Sequence, residues 1–388
     1  MIDFTLTEDQ RVIIDMAREF ARKEIIPKAK EYDDHHIFPT DIIKKAHEIG
    51  LVNLEVPENY GGGNVGPLES VLIAEELGYA CPGITFAVLT NSFSTAPICQ
   101  FGSAQQKEKW LGMICREKLL ASFALTEPQS GSDLGSFTTQ YEKRNGQYTI
   151  TGQKAWISGA SKADVFVVFA YPKGSQRLSE LSAFIVPADT PGVTKGKPEV
   201  KLGLKASDTA GVAFDGVTVP EDQRLGPEGG GFPIVKYSLA RGRMGTAAIA
   251  TGIQQRCVDE CMTYSRSRYS GGKPIGDHPV IRQYIAEMQM SAEASRLATW
   301  RAAWKASRGV DFSYESSLTK AFSTSSAEVV ALKAIQIMGS GGVSLEYPVA
   351  KLVNDAKILS ILEGTTEIQK NAISDVLYSK GRYPYFTG

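Results

Sequence analysis

The stretch YTITGQKAWISGASKADVFVVFA, residues 148–170, decides the fold class of this chain. It holds two runs rich in β-branched and aromatic residues, Tyr148–Thr151 and Val165–Phe169, which favour strands. Similar runs follow at residues 183–186 and 212–214, and turn pairs such as Asn-Gly and Pro-Gly separate the runs. Short strands at this spacing, with no helices between them, predict a small antiparallel β-barrel or sandwich.

Helical patterns flank this β segment on both sides. Apolar residues at helical spacing predict helices that begin near Thr7 and Thr40, and they recur along most of the chain from about residue 231. Four long segments in this last part would form an up-down bundle. We therefore predict a mainly α protein with a central β domain, divided into residues 1–120 (helical N-terminal domain), 121–230 (middle β-barrel domain) and 231–388 (C-terminal four-helix bundle).

Charge and composition exclude several classes of function. The 42 Lys and Arg residues nearly cancel the 43 Asp and Glu residues, so nothing suggests binding to nucleic acid or to an anionic membrane. No apolar run approaches the roughly 18 residues of a membrane span. The N-terminus does not look like a secretory signal, so we expect a cytoplasmic protein, or a mitochondrial-matrix protein if a targeting peptide precedes this sequence. Four His and five scattered Cys predict no metal site.

One glycine-rich stretch matches the sequence pattern of a nucleotide-binding loop. Residues Gly61–Gly66 satisfy the GxGxxG pattern and follow a strand-like run, Leu51–Val56. In a dinucleotide-binding fold the first Gly comes directly off the strand, whereas Pro57–Tyr60 intervenes here. We therefore expect these glycines to form a tight loop between helices.

Two segments of the β region have the chemistry of a flavin site. Residues 123–133 leave an apolar strand and enter a turn rich in hydroxyls and glycine, which suits the polar rim of a flavin or a pyrophosphate. Further along, Trp156 and Ser158 would share one face of a strand and offer an aromatic plane beside a hydrogen-bond donor. An equally good alternative is a Trp that fills the barrel core beside a solvated Ser.

Near the C-terminus, Glu363 stands between the apolar residues Ile361 and Leu362 and a Gly-Thr break. A carboxylate desolvated by these neighbours would have a raised pKa, which suits proton abstraction near neutral pH. From the residues alone, a solvated Glu at a helix end remains the favoured alternative. The glycines after Gln336 are likewise interpreted as a helix cap, although such a backbone can also approach a nucleotide closely.

Together these segments resemble the acyl-CoA dehydrogenase family, and the closest likeness is to its medium-chain and short-chain branch. The resemblance runs along almost the entire chain. The segments that carry it are Val56-Pro57-Glu58-Asn59-Tyr60-Gly61-Gly62, Ala74-Glu75-Glu76-Leu77, Thr126-Glu127-Pro128 with Gly131-Ser132-Asp133, Gly152-Gln153-Lys154 with Trp156-Ile157, Glu346-Tyr347-Pro348-Val349, Asp355-Ala356-Lys357 and Glu363-Gly364-Thr365.

The resemblance implies three domains of the kinds predicted above, assembled as a homotetramer (a dimer of dimers). It implies FAD held between the barrel and the bundle, with the adenosine end contacted by a neighbouring subunit. The matching flavin positions are Phe123, Leu125, Thr126, Ser132, Trp156, Ile157 and Ser158. The positions matching the partner-subunit end are Arg268, Ser270, Gln336, Gly339 and Ser340, and Thr365 and Glu367 match positions after the catalytic base.

The resemblance also assigns Glu363 as the catalytic base, which reverses the helix-end interpretation. Its carboxylate would take the α-proton of an acyl-CoA while the β-hydride passes to flavin N5, yielding the trans-2-enoyl-CoA. Electrons would then leave to electron-transfer flavoprotein. The implied substrate contacts are Ser132, Arg241, Arg243 and Gly364.

Departures from the family pattern leave alternatives open. Some members carry the base on the first helix of the bundle, where this chain has Gly242, and Leu362 replaces a common tyrosine. These two changes could widen the pocket for branched or alicyclic acyl groups. An oxidase that uses O₂ and a non-catalytic acyl-CoA-binding or flavin-binding scaffold are further alternatives. Gly271, Pro279 and Asn354 differ at positions that bear on the FAD adenosine contacts and on assembly.

Overall fold

The computed structural model of the chain describes residues 4–380, and its first part is helical. Thr7 caps the first helix as predicted, because its side chain accepts a hydrogen bond from Gln10 N while the Gln10 side chain accepts one from Thr7 N. A π-helical segment, Ala21–Ile25, joins the first two helices. The helices of this part are α1 Glu8–Phe20, α2 Ile26–Asp34, α3 Thr40–Glu48, α4 Pro67–Ala80, α5 Pro82–Leu89, α6 Ser92–Phe101, α7 Ala104–Gln106 and α8 Gly112–Arg116.

A sheet follows the helices. Its strands are β1 Ala121–Ala124, β2 Gln140–Arg144, β3 Gln147–Ser158, β4 Val165–Pro172, β5 Ser182–Pro187, β6 Val193–Pro198, β7 Thr209–Pro220 and β8 Arg224–Leu225. They are ordered β6-β7-β3-β2-β4-β5-β8, and β1 pairs with β4 beside this path. A central sheet therefore follows the N-terminal helices in the chain.

The expected closed antiparallel barrel is wrong in two respects. Among the described strands, the terminal strands β6 and β8 do not pair with each other, so the sheet stays open. The reason lies in those strands: β8 has two residues before the chain turns away into a helix, and β6 is largely exposed. In addition, β4 runs parallel to both β1 and β2 while its other edge pairs antiparallel with β5.

The sequence of strand β4 is an uninterrupted apolar run because both faces of the strand are buried. Val165, Val167 and Phe169 pack into a core shared with the helices, which includes Trp110. The alternate residues, such as Phe166, pack into a second core inside the sheet. A strand buried on both faces needs apolar residues at every position, and VFVVFA meets that need.

The last part of the chain is a helical bundle with one small hairpin. Its elements are α9 Gly231–Ser267, β9 Tyr269–Ser270, β10 Lys273–Pro274, α10 Pro279–Ser307, α11 Ser313–Met338, α12 Ser340–Val343, α13 Pro348–Ile361 and α14 Thr366–Lys380. This confirms a mainly α chain with a central sheet. Residues 381–388 of the predicted bundle domain lie outside the described residues. Between residues 4 and 380, no helix combines the length and the apolar character that crossing a membrane requires.

The strand-like run Leu51–Val56 is not a strand, contrary to its sequence pattern. Its residues are buried in the N-terminal core, and the glycine loop that follows folds back over them. Val56 O accepts a hydrogen bond from Asn64 N, and Leu54 O accepts one from Val65 N. The glycines lie in a loop ahead of α4, as expected, and this loop supplies the backbone partners that a sheet would have supplied.

A charged cluster joins the three parts of the chain. The Asp355 carboxylate on α13 pairs with Lys351 of the same helix and accepts a hydrogen bond from Leu204 N at 2.6 Å. Lys351 also lies 3.5 Å from Asp33 of α2. Burial alone would lower the pKa of Lys351, but the charge of Asp355, with Cys81 and Asp33 beside it, raises this pKa above its ordinary value. The lysine therefore stays cationic and holds α13 against its neighbours.

Helices α4 and α9 cross in close contact because two glycines face each other there. A Cβ added at Gly252 of α9 would lie 2.4 Å from Glu75 O and 2.5 Å from Tyr79 N. A Cβ added at Gly78 of α4 would lie 2.7 Å from Ile249 Cα. These neighbours are backbone atoms, so the helices would have to move apart to accept a methyl group.

We expect Gly252→Ala to lower the free energy of unfolding by roughly 1–3 kcal/mol, the usual effect of overpacking. Gly245→Ala is the matched control on the same helix, because a Cβ at Gly245 meets no atom within 4 Å. The control should be neutral or stabilising by up to about 1 kcal/mol through helix propensity. Denaturant unfolding of both variants checks this, and equal shifts would contradict the proposed crossing.

Candidate active site

Glu363 lies in a tight turn between two helices of the bundle. Helix α13 ends at Ile361 and α14 begins at Thr366, while Glu363 and Gly364 both adopt left-handed conformations with φ of 56° and 86°. Thr365 caps α14, since its Oγ1 accepts a hydrogen bond from Ile368 N at 3.3 Å. A left-handed Glu is uncommon, so surrounding contacts must hold the turn in place.

Two polar side chains hold the backbone of this turn. Lys320 Nζ, from α11, donates to Ser360 O at 3.1 Å and to Gly364 O at 2.8 Å. Gln369 Nε2 donates to Glu363 O and to Gly364 O, both at 3.1 Å. Lys320 and Gln369 are fully buried. They satisfy the carbonyl groups left free at the end of α13 and fix the direction of the Glu363 side chain.

The Glu363 carboxyl group points into the protein. Its Oε2 is buried and has no hydrogen-bond partner within residues 4–380, so the solvated helix-end interpretation is wrong. The carboxyl occupies the space beside Gly242 of α9, where an added Cβ would lie 2.6 Å from Oε2 and 2.4 Å from Phe93 Cε1. Phe93 and Gly242 therefore desolvate it, whereas Ile361, expected to do so, is 52% exposed.

This environment sets the proton affinity of Glu363. Burial raises the pKa of its carboxyl to about 7, although the cations Arg243 and Lys320 pull in the other direction. Arg243 Nε also contacts Glu363 O at 3.4 Å, and its Nη1 donates to Ser317 Oγ at 3.2 Å. A carboxylate with this pKa is suited to general-base work near neutral pH.

The corner between α5 and α6 connects Glu363 with the sheet. Asn91 Oδ1 accepts from Ala121 N at 2.8 Å at the start of β1. Thr90 packs against Gly159, which follows β3, where an added Cβ would lie 3.1 Å from Thr90 Cγ2. Phe93, two residues after Asn91, lies beside Gly242 and the Glu363 carboxyl. The edge of the sheet and the base therefore face the same short segment.

A buried ion pair shapes the hydroxyl-rich turn after β1. Glu127 accepts hydrogen bonds from Lys154 Nζ at 2.7 Å, Thr138 N at 2.7 Å and Thr139 N at 3.1 Å. Burial opposes the charge, but Lys154 and these donors hold the pKa of Glu127 down at about 2. Lys154 also donates to Leu125 O at 3.0 Å. The pair locks the turn onto β3.

Trp156 is exposed, so the alternative in which it fills the barrel core is wrong. Its side chain is 59% exposed, and its φ of 58° lies in a register shift between Lys154 and Ile157 of β3. Ala155 N donates to Thr126 O at 2.9 Å, which brings the indole next to the hydroxyl-rich turn. A large aromatic side chain left uncovered beside hydroxyl groups fits the edge of a bound planar ring.

The other predicted flavin positions differ in what they can offer. Ile157 and Leu125 are buried, so their side chains belong to the core and only their backbones face the turn. Phe123 is half-buried and packs against Phe169 with ring centroids 4.9 Å apart. Ser132 is exposed.

The predicted partner-subunit positions lie at the far end of the bundle. They share high exposure and are Arg268, Ser270, Gln336, Gly339 and Ser340. Arg268 directly follows α9, and at 1.5 Å per residue it lies about 38 Å along that helix from Gly242. The structure does not bring these residues to Glu363 within one chain.

One departure at this end has a structural reason. The β9–β10 hairpin turns through Gly271 and Gly272, with φ of 61° and 78°. A two-residue turn with both φ positive favours glycine and disfavours bulky side chains. Pro279 begins α10, and the Asn354 backbone packs against Gly203 of the sheet region.

An apolar cavity lies beside Gly242 and Phe93. Its volume is about 80 Å³, which is smaller than the roughly 300–1,000 Å³ that ligand pockets usually occupy. Arg241 faces it and forms an ion pair with Glu55. The apolar lining comes from α4, α5, α6 and α9 and includes Val71, Ala74, Phe86, Leu89, Ala96, Met244 and Ile249.

Sequence patterns did not identify several residues of this site. Lys320 and Gln369 have no local pattern that marks them, because their partners are 40 or more positions away or hidden in the turn itself. Phe93 looks like any apolar helix residue. The described residues contain no group of His, Cys, Asp and Glu side chains that could hold a metal ion.

Family models match the chain over most of its length. The acyl-CoA dehydrogenase N-terminal domain matches residues 7–118, the middle domain matches 122–217 and the C-terminal domain matches 229–378. An acyl-CoA dehydrogenase of Bacillus subtilis (strain 168) is 40% identical over 374 residues, covering 96% of this chain and 98% of that protein. The probable medium-chain specific acyl-CoA dehydrogenase 2, mitochondrial, of Caenorhabditis briggsae is 37% identical over 380 residues, covering 97% and 92%.

Solved structures agree with these matches. Butyryl-CoA dehydrogenase from Megasphaera elsdenii has a TM-score of 0.94 and 35% identity, covering 97% of this chain and 100% of that chain. A chain described under "Electron transferring flavoprotein of Acidaminococcus fermentans: Towards a mechanism of flavin-based electron bifurcation" has a TM-score of 0.94 and 35% identity, covering 97% of this chain and 99% of that chain. The FAD complex of PigA has a TM-score of 0.93 and 29% identity, covering 98% and 100%.

The raised pKa of Glu363 predicts a pH-dependent stability. Because the folded pKa of about 7 exceeds the ordinary 4.5, the folded chain is favoured by the neutral carboxyl and loses stability as pH rises through about 7. The free energy of unfolding of Glu363→Gln, relative to that of the parent, should therefore be roughly 2 kcal/mol higher at about pH 8 than at about pH 5.

Denaturant unfolding at both pH values tests this, with Glu367→Gln as the control. Glu367 is exposed, and backbone and Thr365 hydrogen bonds hold its pKa below the ordinary value, so its substitution should shift stability in the opposite direction with pH. A flat difference between Glu363→Gln and the parent would mean that the carboxyl is solvated.

Proposed function

The chain belongs to the acyl-CoA dehydrogenase family, and from that premise we propose that it oxidises the Cα–Cβ bond of a short-chain or medium-chain acyl-CoA to the trans-2-enoyl-CoA, with Glu363 as the base. It is an oxidoreductase of the acyl-CoA dehydrogenase class. The observation that carries the proposal is the buried Glu363 Oε2, which has no hydrogen-bond partner among the described residues and lies next to an apolar cavity. A base needs a free lone pair at the position that the substrate reaches.

In this mechanism the acyl group occupies the cavity beside Gly242 and Phe93 and brings its α-carbon to Glu363 Oε2. The carboxylate takes the α-proton, and the Glu363 backbone N–H donates to the thioester oxygen as charge develops there. Phe93 and the apolar lining exclude water, which strengthens that interaction. Lys320 and Gln369 keep the turn from moving when the proton arrives.

FAD is the cofactor of this family, and the residues present fit it. Bound FAD supplies the acceptor for the β-hydride. We assign the ring to the face formed by Thr126, Trp156 and Ser158, where an exposed indole stands beside hydroxyl groups. We also assign Thr365 and Glu367, which follow the base in the sequence, to the cofactor site. Phe123, Leu125 and Ile157 support this face from the core side.

We assign the adenosine end to Arg268, Ser270, Gln336, Gly339 and Ser340 of a neighbouring subunit. The separation of about 38 Å along α9 supports a contact made across two chains rather than within one. Exposed apolar residues on the bundle, such as Trp304, Val329 and Leu332, support burial in a homotetramer built as a dimer of dimers.

The remaining expectations stay proposals of the same kind. Ser132, Arg243 and Gly364 would contact the CoA thioester, and electron-transfer flavoprotein would accept the electrons, in keeping with the resemblance to the Acidaminococcus fermentans chain. The divisions at residues 120 and 230 and the cytoplasmic location remain predictions. The suggested widening for branched or alicyclic acyl groups loses one support, because the space beside Gly242 is filled by Phe93 and Glu363.

We expect butyryl-CoA or octanoyl-CoA to bleach the visible flavin absorbance of the purified holoenzyme under anaerobic conditions. Glu363→Gln should slow this step by roughly 10²–10⁴-fold while retaining FAD, because a neutral amide cannot accept the proton. Glu117→Gln, an exposed carboxylate outside the site, is the control for FAD content.

Two outcomes would count against the proposal. A yellow protein that no acyl-CoA bleaches would indicate a binding scaffold, and full activity in Glu363→Gln would assign the base elsewhere. If the bleached enzyme recovers its colour rapidly with O₂ rather than with electron-transfer flavoprotein, the oxidase alternative holds instead.

Gly242→Ala tests the shared space beside the base. The added methyl group would displace the carboxyl or Phe93, and a misplacement of about 1 Å can slow catalysis by about 10²-fold. Stopped-flow flavin reduction should show the loss in the rate constant for reduction rather than in substrate affinity. Gly245 lines the same cavity one turn away, and a Cβ there meets no atom within 4 Å, so Gly245→Ala should spare the rate constant for reduction. Equal losses of that rate constant in both variants would refute the interpretation.

A further inference from the structure

The cavity beside the base has one polar wall. Thr246 of α9 is 1% exposed and lines the cavity, yet its Oγ1 has no hydrogen-bond partner between residues 4 and 380. Ser70 of α4 lines the same cavity, and its Oγ is likewise buried without a partner. Two hydroxyl groups from different helices therefore line one cavity, and no described residue forms a hydrogen bond with Thr246 Oγ1 or Ser70 Oγ.

Thr246 differs in this respect from similar residues near it. Thr251, on the same helix, donates to Ala247 O at 2.9 Å, and Ser238 donates to Ile234 O at 2.9 Å. Both satisfy their hydroxyl groups within the helix, as buried Ser and Thr commonly do. An unsatisfied buried hydroxyl destabilises a protein by roughly 1–3 kcal/mol, and a purely alkyl ligand would leave that deficit in place.

The charges near this wall restrict the kind of ligand group. Arg241 lines the cavity, but its guanidinium is already neutralised by Glu55, which lines it as well. A ligand carboxylate would lose its hydration there without a cation left to pair with it. A neutral group that both donates and accepts, such as a hydroxyl, matches what Thr246 and Ser70 leave free.

The position of the wall fixes which part of the acyl group it would meet. Thr246 follows Gly242 by four residues, so it lies about one helical turn, roughly 6 Å, along α9 from the residue that contacts the base. The α-carbon must lie at Glu363. The polar wall therefore lies several carbons further along the acyl chain.

We propose that the pocket selects an acyl-CoA whose short chain carries a neutral hydroxyl group at its distal end, bound by Thr246 and Ser70. This rests on the proposed function, because it takes the cavity beside Glu363 to be the acyl site. Thr246 then acts as a specificity-determining residue and takes no part in proton transfer.

The test compares acyl-CoAs that differ in one oxygen atom. Anaerobic flavin reduction of the holoenzyme is measured with hexanoyl-CoA, its ω-hydroxy derivative and the matching dicarboxylic mono-CoA, and with the butyryl pair. We expect kcat/KM for at least one ω-hydroxy substrate to exceed that of its parent by about tenfold or more, the scale of one buried hydrogen bond.

Thr246→Val is the key variant, because it keeps the shape and removes the hydroxyl. It should abolish the hydroxyl preference, so that the ratio of kcat/KM between each ω-hydroxy substrate and its alkyl parent falls to about one. Thr251→Val is the matched control, a buried Thr on the same helix whose hydroxyl is already satisfied, and it should keep the preference. FAD content and thermal unfolding are recorded for both, so that misfolding is recognised.

Binding to Glu363→Gln gives a readout that does not need turnover. Titration calorimetry should show tighter binding of the ω-hydroxyacyl-CoA than of its alkyl parent, and the added Thr246→Val change should remove the difference. Equal or better use of the alkyl parents, a preference for the dicarboxylic substrate, or a hydroxyl preference that survives Thr246→Val would overturn the inference. Absence of bleaching by every acyl-CoA would overturn the proposed function, whereas bleaching by the alkyl parents without any hydroxyl preference would overturn only this inference.

Discussion

The buried carboxylate of Asp355 holds the active parts of this chain in one arrangement. It lies on α13, the helix whose end carries Glu363, and it accepts a hydrogen bond from Leu204 of the sheet region. Lys351 links the same carboxylate to Asp33 near the N-terminus. The distance between the base and the sheet face that would hold a flavin ring therefore depends on a polar contact far from either. Breaking such a buried cluster leaves uncompensated charge, which is why it is strongly destabilising.

The chemistry of Glu363 is produced by residues that are distant in sequence. Its own neighbours supply a turn, but Gly242 and Phe93 supply the apolar surroundings, and Lys320 and Gln369 supply the donors that hold the turn. The carboxyl is thereby dry on the side that faces the cavity and supported on the backbone side. A raised pKa and a fixed direction follow from the same set of contacts.

The sequence predicted what depends on local pattern. The capped helix at Thr7, the strand run of β4 and the helical bundle followed from periodicity, and the family resemblance pointed to Glu363. Prediction from the sequence failed where tertiary contacts override local preference. Leu51–Val56 is apolar enough for a strand, but its carbonyl groups accept hydrogen bonds from the glycine loop instead of from a neighbouring strand. Likewise, alternation along β3 could not tell an exposed Trp156 from a buried one, since the register shift beside it is set by pairing with β7.

Strand β4 has a consequence for how this chain folds. Its two faces belong to two different cores, one inside the sheet and one shared with the N-terminal helices and with α9. The β region is thus a segment of the sequence without being an autonomous folding unit, because excision would expose half of its most apolar strand to water. Formation of the sheet therefore depends on helices on both sides, including the start of α9. A newly synthesised chain would leave this apolar surface uncovered until Ile234 and Val235 have been made, and such a surface is prone to aggregation and to chaperone binding.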